Sequence, residues 1–182
     1  IAPTVMIVSP ESKTYRNSVM IPVSYSISDD VTPNDKLTTI VSLDGATYVK
    51  SDIDAALLPL GTHEFSVNAT DEAGNSGTAE GAFILETSWD ALSQNIDHYF
   101  ALGLLKNKGE RQMLKTHIRN LGETVEFLEK YDAFFRFHPK LRDIFEREIT
   151  HQLSVLQKYV NQRSGKSIDP IAAIRLAESM GA

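Results

Sequence analysis

The sequence predicts a multi-domain β + α protein, an antiparallel β-sandwich followed by a four- to five-helix bundle. The hydrophobic period changes once, near residue 87, from the alternation typical of strands to the three-to-four spacing of helices. Turn signals separate short β-branched runs before that point, and short loops separate amphipathic segments after it. A chain of 182 residues is long enough for both parts, which we place at 1–86 and 87–182.

Strands with one buried face account for the first part. In HEFSVNAT, Phe65, Val67 and Ala69 alternate with polar residues, and the segment VSYSIS at 23–28 alternates in the same way. Six or seven such strands in about 85 residues match the size of an immunoglobulin-like domain. Because the chain has no cysteine pair and no core tryptophan in this part, we expect no antibody-type variant.

Helix start and stop signals divide the second part. Ser88 is the predicted N-cap of a first helix that ends at Gly103. A second helix is predicted at about 108–120, and Gly122 is expected to separate it from the segment ETVEFLEKYDAFFRF.

A long helix and a last short helix follow. Pro139 is expected in the first turn of the long helix, where its missing N–H costs nothing, and RSGKS is read as its C-cap. Ser167 or Asp169 is expected to cap the last helix. The predicted inward positions of these two helices are Leu141, Ile144, Phe145, Ile149, Leu153, Leu156 and Val160, then Ile171, Ile174 and Ala177.

The composition excludes several classes of function. Hydrophobic residues make up 42% and charged residues 23%, which favours a packed core over disorder. The formal net charge of −6 argues against nucleic acid as a partner, because phosphate binding needs a basic face. No run of about 18 apolar residues is present, so we expect no membrane span.

The chain contains no cysteine, which removes disulfides, zinc–thiolate sites and thiol nucleophiles together. This composition fits the cytosol and equally the secreted proteins of Gram-positive bacteria. The first residues, IAPTVMIVSP, carry neither a basic leader region nor an initiator Met, so we expect a piece of a larger protein.

Four features of the first part form a recognisable set: an acidic loop SDDVTPND, a hairpin SLDG, the strand PLGTHEFSV and the closing ATDEAGN. With them, most of residues 3–86 resembles the bacterial Ig-like modules found in tandem on cell-surface and secreted enzymes and adhesins. In related modules, aspartates of such loops bind calcium at domain ends.

The second part carries LSQNIDHYFALGLLKNKGERQMLKTHI, the late helix LSVLQKYVNQRSGKSID and a terminal Ala-rich helix. These features resemble the FIMAH module, a small helical module at the C-terminus of secreted or surface proteins of Firmicutes. The segment YDAFFRFHPKLRDIFEREITHQ departs from that pattern by being more aromatic and more charged. The two resemblances imply an extracellular or cell-surface accessory region with no activity assigned to either half.

The segment NATDEAGNSG, residues 68–77, has two interpretations. The first is a tight turn between two strands, in which Gly74 or Asn75 is left-handed and Asp71 caps the turn with its side chain. The second interpretation is a metal site, although DEAGNSGTAEG lacks the spacing of an EF-hand.

That metal site would be a composite calcium site. Calcium takes six to eight oxygen ligands, so Asp71 would need Asp29, Asp30 and Asp35 from the other acidic loop. The two loops are expected at the same end of a sandwich. Calcium is thus the one cofactor the sequence suggests, and none is required.

Other motifs predict no catalytic residue. Glu148 and His151 form an E-x-x-H pair, but a di-metal bundle needs a second pair and two more inward Glu residues. The remaining histidines are scattered without zinc spacing. Asn68-Ala69-Thr70 is an acceptor triplet in a predicted strand, and no G-x-S-x-G or phosphate loop occurs.

Four aromatic residues in YDAFFRFHP, at 131–137, cannot all lie on one helical stripe. We expect most to pack in the core or between domains, with an exposed subset marking a partner surface. Trp89 lies at the predicted domain joint, as an anchor or as a sugar-stacking platform. The candidate interaction surface is therefore Phe134, Phe135, Phe137 and Trp89.

Taken together, the sequence predicts a non-catalytic C-terminal accessory region, a spacer and interaction module, of a larger secreted or cell-surface bacterial enzyme or adhesin. Its expected partners are the parent protein's upstream domains, the cell envelope, a polysaccharide or a protein ligand. The alternative is a carbohydrate-binding accessory domain of a polysaccharide-degrading enzyme. A third reading, a di-metal helical-bundle enzyme, lacks the ligands it needs.

Overall fold

The computed structural model describes residues 1–181, and the chain divides into two compact units. The β unit comprises residues 1–55 and 60–86. The helical unit comprises the residues from Thr87 onward together with the short segment 56–59. The sequence carries no local signal for the inclusion of this segment.

The β unit is an immunoglobulin-like sandwich. One five-stranded sheet has the order β2-β9-β8-β5-β6, and two short pairs, β1-β4 and β3-β7, supply the remaining strands. The strands are β1 Thr4–Ser9, β2 Thr14–Arg16, β3 Met20–Pro22, β4 Ser24–Ser28, β5 Thr38–Leu43, β6 Ala46–Thr47, β7 Asp52–Asp54, β8 Gly61–Thr70 and β9 Ser76–Glu86. All pairs are antiparallel except β2 with β9, which is parallel.

The core of the β unit follows the predicted alternation. Phe65, Val67 and Ala69 of β8 are buried, while Glu64, which precedes Phe65 on the same strand, is exposed. The buried apolar residues of this unit also include Ile21, Leu43, Ile53, Phe83 and Leu85. One contact needs a glycine, because a Cβ on Gly77 would lie 1.8 Å from the carbonyl oxygen of Pro3.

The helical unit contains five helices: α1 Trp89–Ala101, α2 Lys108–Lys130, α3 Asp132–Phe137, α4 Pro139–Arg163 and α5 Pro170–Gly181. Ser88 caps α1 as predicted, since its Oγ accepts a hydrogen bond from the Ala91 N–H at 3.1 Å. Gly103 follows α1 with a φ of 74°. These observations confirm the predicted start and end of the first helix.

The predicted break at Gly122 is wrong, because α2 runs through that residue without interruption. Gly122 is buried, and a Cβ there would come within 3.0 Å of the Trp89 Cγ. The missing side chain therefore lets the indole of Trp89 approach the helix closely. Glycine acts here as a packing residue and not as a helix stop.

The later boundaries agree with the sequence. Pro139 occupies the first turn of α4, and Gly165 follows that helix with a φ of 73°. Asp169 caps α5, where its Oδ1 accepts from the Ile171 N–H at 2.9 Å.

The predicted inward face of α5 is wrong. Ile171 and Ile174 are 52% and 53% exposed, and the helix instead buries a different face, which contains two alanines. That buried face consists of Ala172, Ala173, Leu176, Ser179 and Met180. The small side chains of Ala172 and Ala173 allow the neighbouring helices to approach closely. The face that contains them is therefore buried in place of the face that contains the two isoleucines.

The core of the helical unit includes the segment 56–59. The Tyr99 hydroxyl donates to the Ala56 carbonyl oxygen at 2.5 Å, and the Arg175 Nε donates to the Leu57 carbonyl oxygen at 3.1 Å. Ala56 is itself buried among the apolar residues of the bundle. Four residues distant in sequence thus complete this core.

Candidate functional site

The acidic loops of the β unit use their carboxylates to hold their own backbones. Asp71 Oδ1 accepts from the Asn75 N–H at 2.7 Å, and its Oδ2 accepts from the Asn75 side chain at 2.8 Å. Gly74 in the same turn has a φ of 87°. The segment is the predicted turn between β8 and β9, capped by Asp71.

Hydrogen bonds lower the pKa of both Asp71 and Asp29. The Asn75 side chain is the main cause that holds the pKa of Asp71 below its usual value, against the opposing effect of burial. Asp29 accepts from the N–H groups of Thr32 and Val31, which lowers the pKa of its carboxyl group. Burial of Asp29, and then the negative charge of Asp71, act on its pKa in the opposite direction.

The structure does not gather the four predicted calcium ligands. Within residues 1–181, no group of three or more His, Asp or Glu side chains could hold a metal ion. Asp30 and Asp35 are exposed, and Asp35 lies in a short 3₁₀ turn at Asn34–Lys36. Calcium binding by these loops stays a prediction.

The far ends of α2 and α4, with α3 between them, form a helical hairpin that we name the arm, residues 123–155. Only two of its side chains are buried, those of Leu128 and Phe135. The core of the helical unit is built instead from the other halves of α2 and α4, together with α1 and α5. The predicted inward positions Leu141 and Ile144 are exposed, because this stretch of α4 packs on α2 and α3 through Phe145 instead.

Aromatic rings hold the end of the arm together. Phe135 is 1% exposed and makes edge contacts with Phe127, Phe134 and Phe145, with ring centres 5.4 to 6.0 Å apart. Its prediction as part of an exposed surface is therefore wrong. A residue at the centre of three rings is the anchor of the arm, and its burial leaves its neighbours on the outside.

Phe134 and Phe137 are exposed as the sequence suggested, at 49% and 85%. They are three residues apart on α3, so they lie on the same side of that helix. Phe134 also stacks on the ring of His138, with centres 4.2 Å apart. We name this surface, Phe134 and Phe137 with Tyr131 beside them, the aromatic tip.

Ion pairs fix the backbone behind the aromatic tip. Asp132 at the start of α3 pairs with Arg136 at 2.7 Å and with Arg142 of α4 at 2.6 Å. The hydrogen bonds from Arg136 and then Arg142 lower the pKa of Asp132, so this carboxylate stays charged at neutral pH. The arrangement connects α3 to α4 across the turn at His138.

The charge of the aromatic tip differs from that of the chain. Segment 130–142 carries four cationic side chains and one carboxylate, a formal net charge of +3, whereas the whole chain carries −6. The Lys130 ammonium lies over the Tyr131 ring, 5.5 Å from its centre. Lys140 is exposed in the first turn of α4.

Trp89, the remaining predicted surface residue, belongs to the helical unit and packs on Gly122 of α2. It also lines a groove of about 470 Å³ between α1 and α2. The other side chains of this groove are polar and include Ser93, Gln112, Thr116, Arg119 and Glu123.

Lys115, at one side of that groove, connects α2 to α1. It pairs with Asp97, which also accepts from the Arg111 Nε at 2.7 Å. Burial acts to raise the pKa of Asp97, but the hydrogen bonds from Lys115 and Arg111 outweigh it and lower the pKa. The two helices that frame the groove are thus held by a three-residue ionic cluster.

Two polar clusters were missed by the sequence. His63 is buried, and its Nδ1 lies 2.7 Å from Asp44 Oδ2, while Asp44 itself has a left-handed φ of 51°. The Asp-Gly pair in SLDG signals the turn, but the contact of Asp44 with His63 depends on the register of β5 and β8. On β8, His63 alternates with the exposed Glu64, and this pattern by itself assigns the histidine no role.

The second missed cluster surrounds the buried Glu110 at the start of α2. Its Oε1 accepts from the Tyr159 hydroxyl at 3.0 Å and from the Ser167 hydroxyl at 2.8 Å. Burial, and then the hydrogen bond to Glu110, raises the pKa of Tyr159. The cluster joins the start of α2 to the end of α4. Its members are 49 and 57 residues apart in sequence, so no local sequence pattern predicts their contact.

Comparisons with known proteins find no matching family model and no matching curated protein. Among solved structures, fibronectin(III)-like modules of Clostridium thermocellum CbhA align with 18% identity and a TM-score of 0.39, over 48% of each chain. The Bacteroides ovatus surface protein SGBP-B, solved with a mixed-linkage heptasaccharide, aligns with 15% identity and a TM-score of 0.38. That alignment covers 50% of this chain and 25% of the other.

The chain therefore spans about half the length of the first of these structures and a quarter of the second. At these levels of similarity, neither structure assigns a ligand or an activity to the chain. Every helix in the described part of the chain is too short or too polar to cross a bilayer.

Proposed function

We propose that the chain is a non-catalytic accessory region of a larger secreted or cell-surface bacterial protein, an extracellular enzyme or adhesin. In this proposal the β unit is a spacer, and the helical unit is a docking module. The observation that carries the proposal is the aromatic tip, where Phe134 and Phe137 are exposed at the end of the arm. The resemblances of the two halves to bacterial Ig-like and FIMAH modules support the same role.

The geometry supports docking through the tip. Large exposed aromatic residues are unfavourable in water, and clusters of them mark surfaces that bind a partner. Phe135 and the Asp132 ion pairs hold α3 in place, so binding would order little additional chain. The strands β8 and β9 of 10 and 11 residues give the spacer a length of roughly 33 to 37 Å.

Retention on bacterial envelopes tests this proposal. The purified chain would be incubated with envelope preparations of a Gram-positive bacterium, and the pelleted fraction would be measured. We expect the double variant Phe134→Ser with Phe137→Ser to reduce retention about tenfold, because it removes the apolar contact.

The matched control is Ile171→Ser with Ile174→Ser, which removes two half-exposed apolar side chains from α5. This control should be retained as the wild type is. Equal retention of the tip variant and the wild type would overturn the proposed role of the aromatic tip.

A second candidate function, carbohydrate binding, rests on the groove beside Trp89. Trp89 is the only tryptophan of the chain, so its fluorescence reports directly on this groove. A polysaccharide-binding module would show a saturable change in that fluorescence with soluble glucan oligosaccharides. The change should be absent in a Gln112→Ala, Arg119→Ala variant, and its absence in the wild type would leave the second candidate without support.

A further inference from the structure

We propose that the helical unit binds an acidic polysaccharide, a polymer of uronic acids, where the start of α2 meets the end of α4. We name this surface, formed by residues 104–111 and 158–169, the basic end. The inference goes beyond the proposed docking function, because it concerns a surface outside the arm and uses no residue of the aromatic tip.

Hydrogen bonds bring the two segments of the basic end together. The Lys106 N–H donates to the Ser167 carbonyl oxygen at 2.9 Å. The buried Glu110 joins the segments a second time, because its Oε1 accepts from the hydroxyl groups of Tyr159 and Ser167. Cations that are distant in sequence therefore share one surface.

Cations outnumber carboxylates at the basic end. Six cationic side chains and two carboxylates give its two segments a formal net charge of +4. Asp97 of α1 adds a third carboxylate, because it pairs with Arg111. The remaining net charge of +3 contrasts with −8 for residues 1–86 and with the arm, in which seven carboxylates outnumber five cations. An anionic polymer is therefore attracted to the basic end and repelled by the β unit and the arm.

Most cations of the basic end are available to a ligand. Four of its lysines are exposed and belong to no ion pair within residues 1–181: Lys106, Lys108, Lys158 and Lys166. All three arginines of the arm, by contrast, are paired with carboxylates. The two carboxylates of the basic end are engaged within the fold, since Glu110 is only 7% exposed and Asp169 caps α5.

A pocket of about 400 Å³ opens at the basic end and is lined by Tyr159, Gln162, Arg163 and Lys166. The Arg163 guanidinium lies 5.4 Å from the centre of the Tyr159 ring, and its Nε is 3.4 Å from Glu110 Oε1. These two contacts hold the guanidinium at the wall of the pocket. It can therefore pair with a carboxylate without first being ordered.

The pocket combines the groups that recognise a sugar acid. Arg163 and Lys166 supply positive charge for a carboxylate, and the Gln162 amide can donate to and accept from sugar hydroxyl groups. The half-buried ring of Tyr159 offers an apolar surface to the C–H groups of a pyranose. A simple inorganic anion would use the cations alone and would leave the ring and the amide without a role.

The lysines around the pocket indicate a polymer as the ligand. Lys158 and Arg163 are five residues apart on α4, which corresponds to about 7.5 Å along the helix axis. Lys106 and Lys108 lie on the other segment, outside the pocket. One uronate in the pocket would leave these ammonium groups unpaired, whereas a chain with a carboxylate on every sugar would pair with several of them.

Binding of the full chain to polygalacturonate tests the inference. Isothermal titration calorimetry would compare polygalacturonate with its methyl ester, which has the same sugar backbone without the charges, at about 50 mM and about 500 mM salt. We expect the methyl ester to bind at least about tenfold more weakly, because it offers no carboxylate to the cations. Binding of polygalacturonate should weaken at the higher salt concentration.

Two double variants locate the site. Arg163→Gln with Lys166→Gln should weaken binding to polygalacturonate about tenfold, because it removes both cations of the pocket. Lys106→Gln with Lys108→Gln should have an effect of similar size. This second variant removes no ion pair, so it tests the site even if the loss of Arg163 disturbs the buried Glu110.

The matched control removes the same charge from the arm. Lys130→Gln with Lys140→Gln replaces two exposed lysines outside the basic end, and it should bind polygalacturonate as the wild type does. Melting curves of all variants would show that the fold is retained. Equal binding by the wild type and both basic-end variants, or no binding by the wild type at low salt, would overturn the inference.

A single variant separates the sugar acid from charge alone. Gln162→Ala should weaken binding to polygalacturonate about fivefold, through the loss of hydrogen bonds to hydroxyl groups, and leave binding to inorganic polyphosphate unchanged. Tighter binding of polyphosphate or of single-stranded DNA than of polygalacturonate would overturn the inference in favour of a phosphate polymer. Tip-dependent retention on envelopes without polygalacturonate binding would reject the acidic polysaccharide and leave the proposed docking function standing.

Discussion

Single carboxylates order the loops at one end of the β unit. Asp71 closes its turn through two hydrogen bonds with Asn75, and Asp29 closes its own loop through two backbone N–H groups. In both cases the hydrogen bonds favour the ionised carboxylate, so the stability of the loops depends on pH. The same oxygens are those that the sequence assigned to calcium.

The Asp71→Asn substitution should make the stability of the β unit less dependent on acid. The pKa of Asp71 is lowered in the folded state, so its contribution is present above the unfolded-state pKa of about 3.9 and is lost as pH falls through the folded pKa. Thermal melts between about pH 6 and pH 2.5 should show a flatter profile for the variant. Asn75→Ala, which removes the main donor, should also flatten the profile, and an unchanged slope in both variants would contradict this account.

Calcium binding gives a separate prediction at these loops. A site containing Asp29 and Asp71 would raise the melting temperature in calcium relative to chelator, because the ion would bind only the folded loops. The double variant Asp29→Asn, Asp71→Asn should abolish that difference. Equal melting temperatures of the wild type in calcium and in chelator would reject the calcium site.

Gly77→Ala should destabilise the β unit by about 1–3 kcal/mol, because its Cβ would overlap the Pro3 carbonyl oxygen at 1.8 Å and force the backbone apart. Gly81→Ala on the same strand is the matched control, since its Cβ would meet only the Ser12 Oγ at 3.7 Å. Urea denaturation of both variants checks the difference. Similar losses for the two would show that strand glycines in general, and not this contact, set the cost.

At the scale of elements, the sequence predicts helices and strands better than it predicts which faces they bury. The β-sandwich and the helical bundle are confirmed, because alternation and helical spacing are local signals. Gly122 was misread as a helix stop, since its reason, the indole of Trp89, is about 30 residues away in sequence. The face of α5 was misread because two periodic faces compete, and only packing selects the one that contains Ala172 and Ala173.

The candidate interaction surface was predicted less well than the fold, because burial again depends on packing between residues that are distant in sequence. The sequence predicts exposure of Phe134 and Phe137, but Phe135 between them is buried against Phe127 of α2 and Phe145 of α4. The pair His63 and Asp44 depends on a strand register that no local pattern supplies.

Asn107→Ala should destabilise the helical unit by about 1 kcal/mol, the usual effect of losing an N-cap. Asn107 Oδ1 accepts from the N–H groups of Gly109 at 2.7 Å and Glu110 at 3.1 Å at the start of α2. Asn107→Asp should be nearly neutral, because it keeps the acceptor. Chemical denaturation followed by helical circular dichroism measures both, and an equal loss for the two variants would contradict a capping role.

At the scale of the whole molecule, the helical unit draws on residues 56–59 as well as on those after residue 87. Ala56 contributes a buried methyl group and a carbonyl acceptor, and Leu57 contributes a second acceptor. A helical unit cut at residue 87 would therefore lack part of its own core.

Two variants measure this dependence. Tyr99→Phe in the full chain should cost about 1 kcal/mol, because it removes the hydroxyl that donates to the Ala56 carbonyl. A fragment beginning at residue 87 should be destabilised by more, since it loses both acceptors and the apolar contacts of Ala56 and Leu57. Equal melting temperatures for the helices in the fragment and in the full chain would contradict this prediction.

The position of residues 56–59 also limits how the two units can be recombined between genes. Protein modules that fold from one continuous stretch can be exchanged between genes as cassettes. Here a crossover that transferred only the codons after residue 87 would leave behind four residues that the helices need. We therefore expect the two halves to be transmitted as a pair.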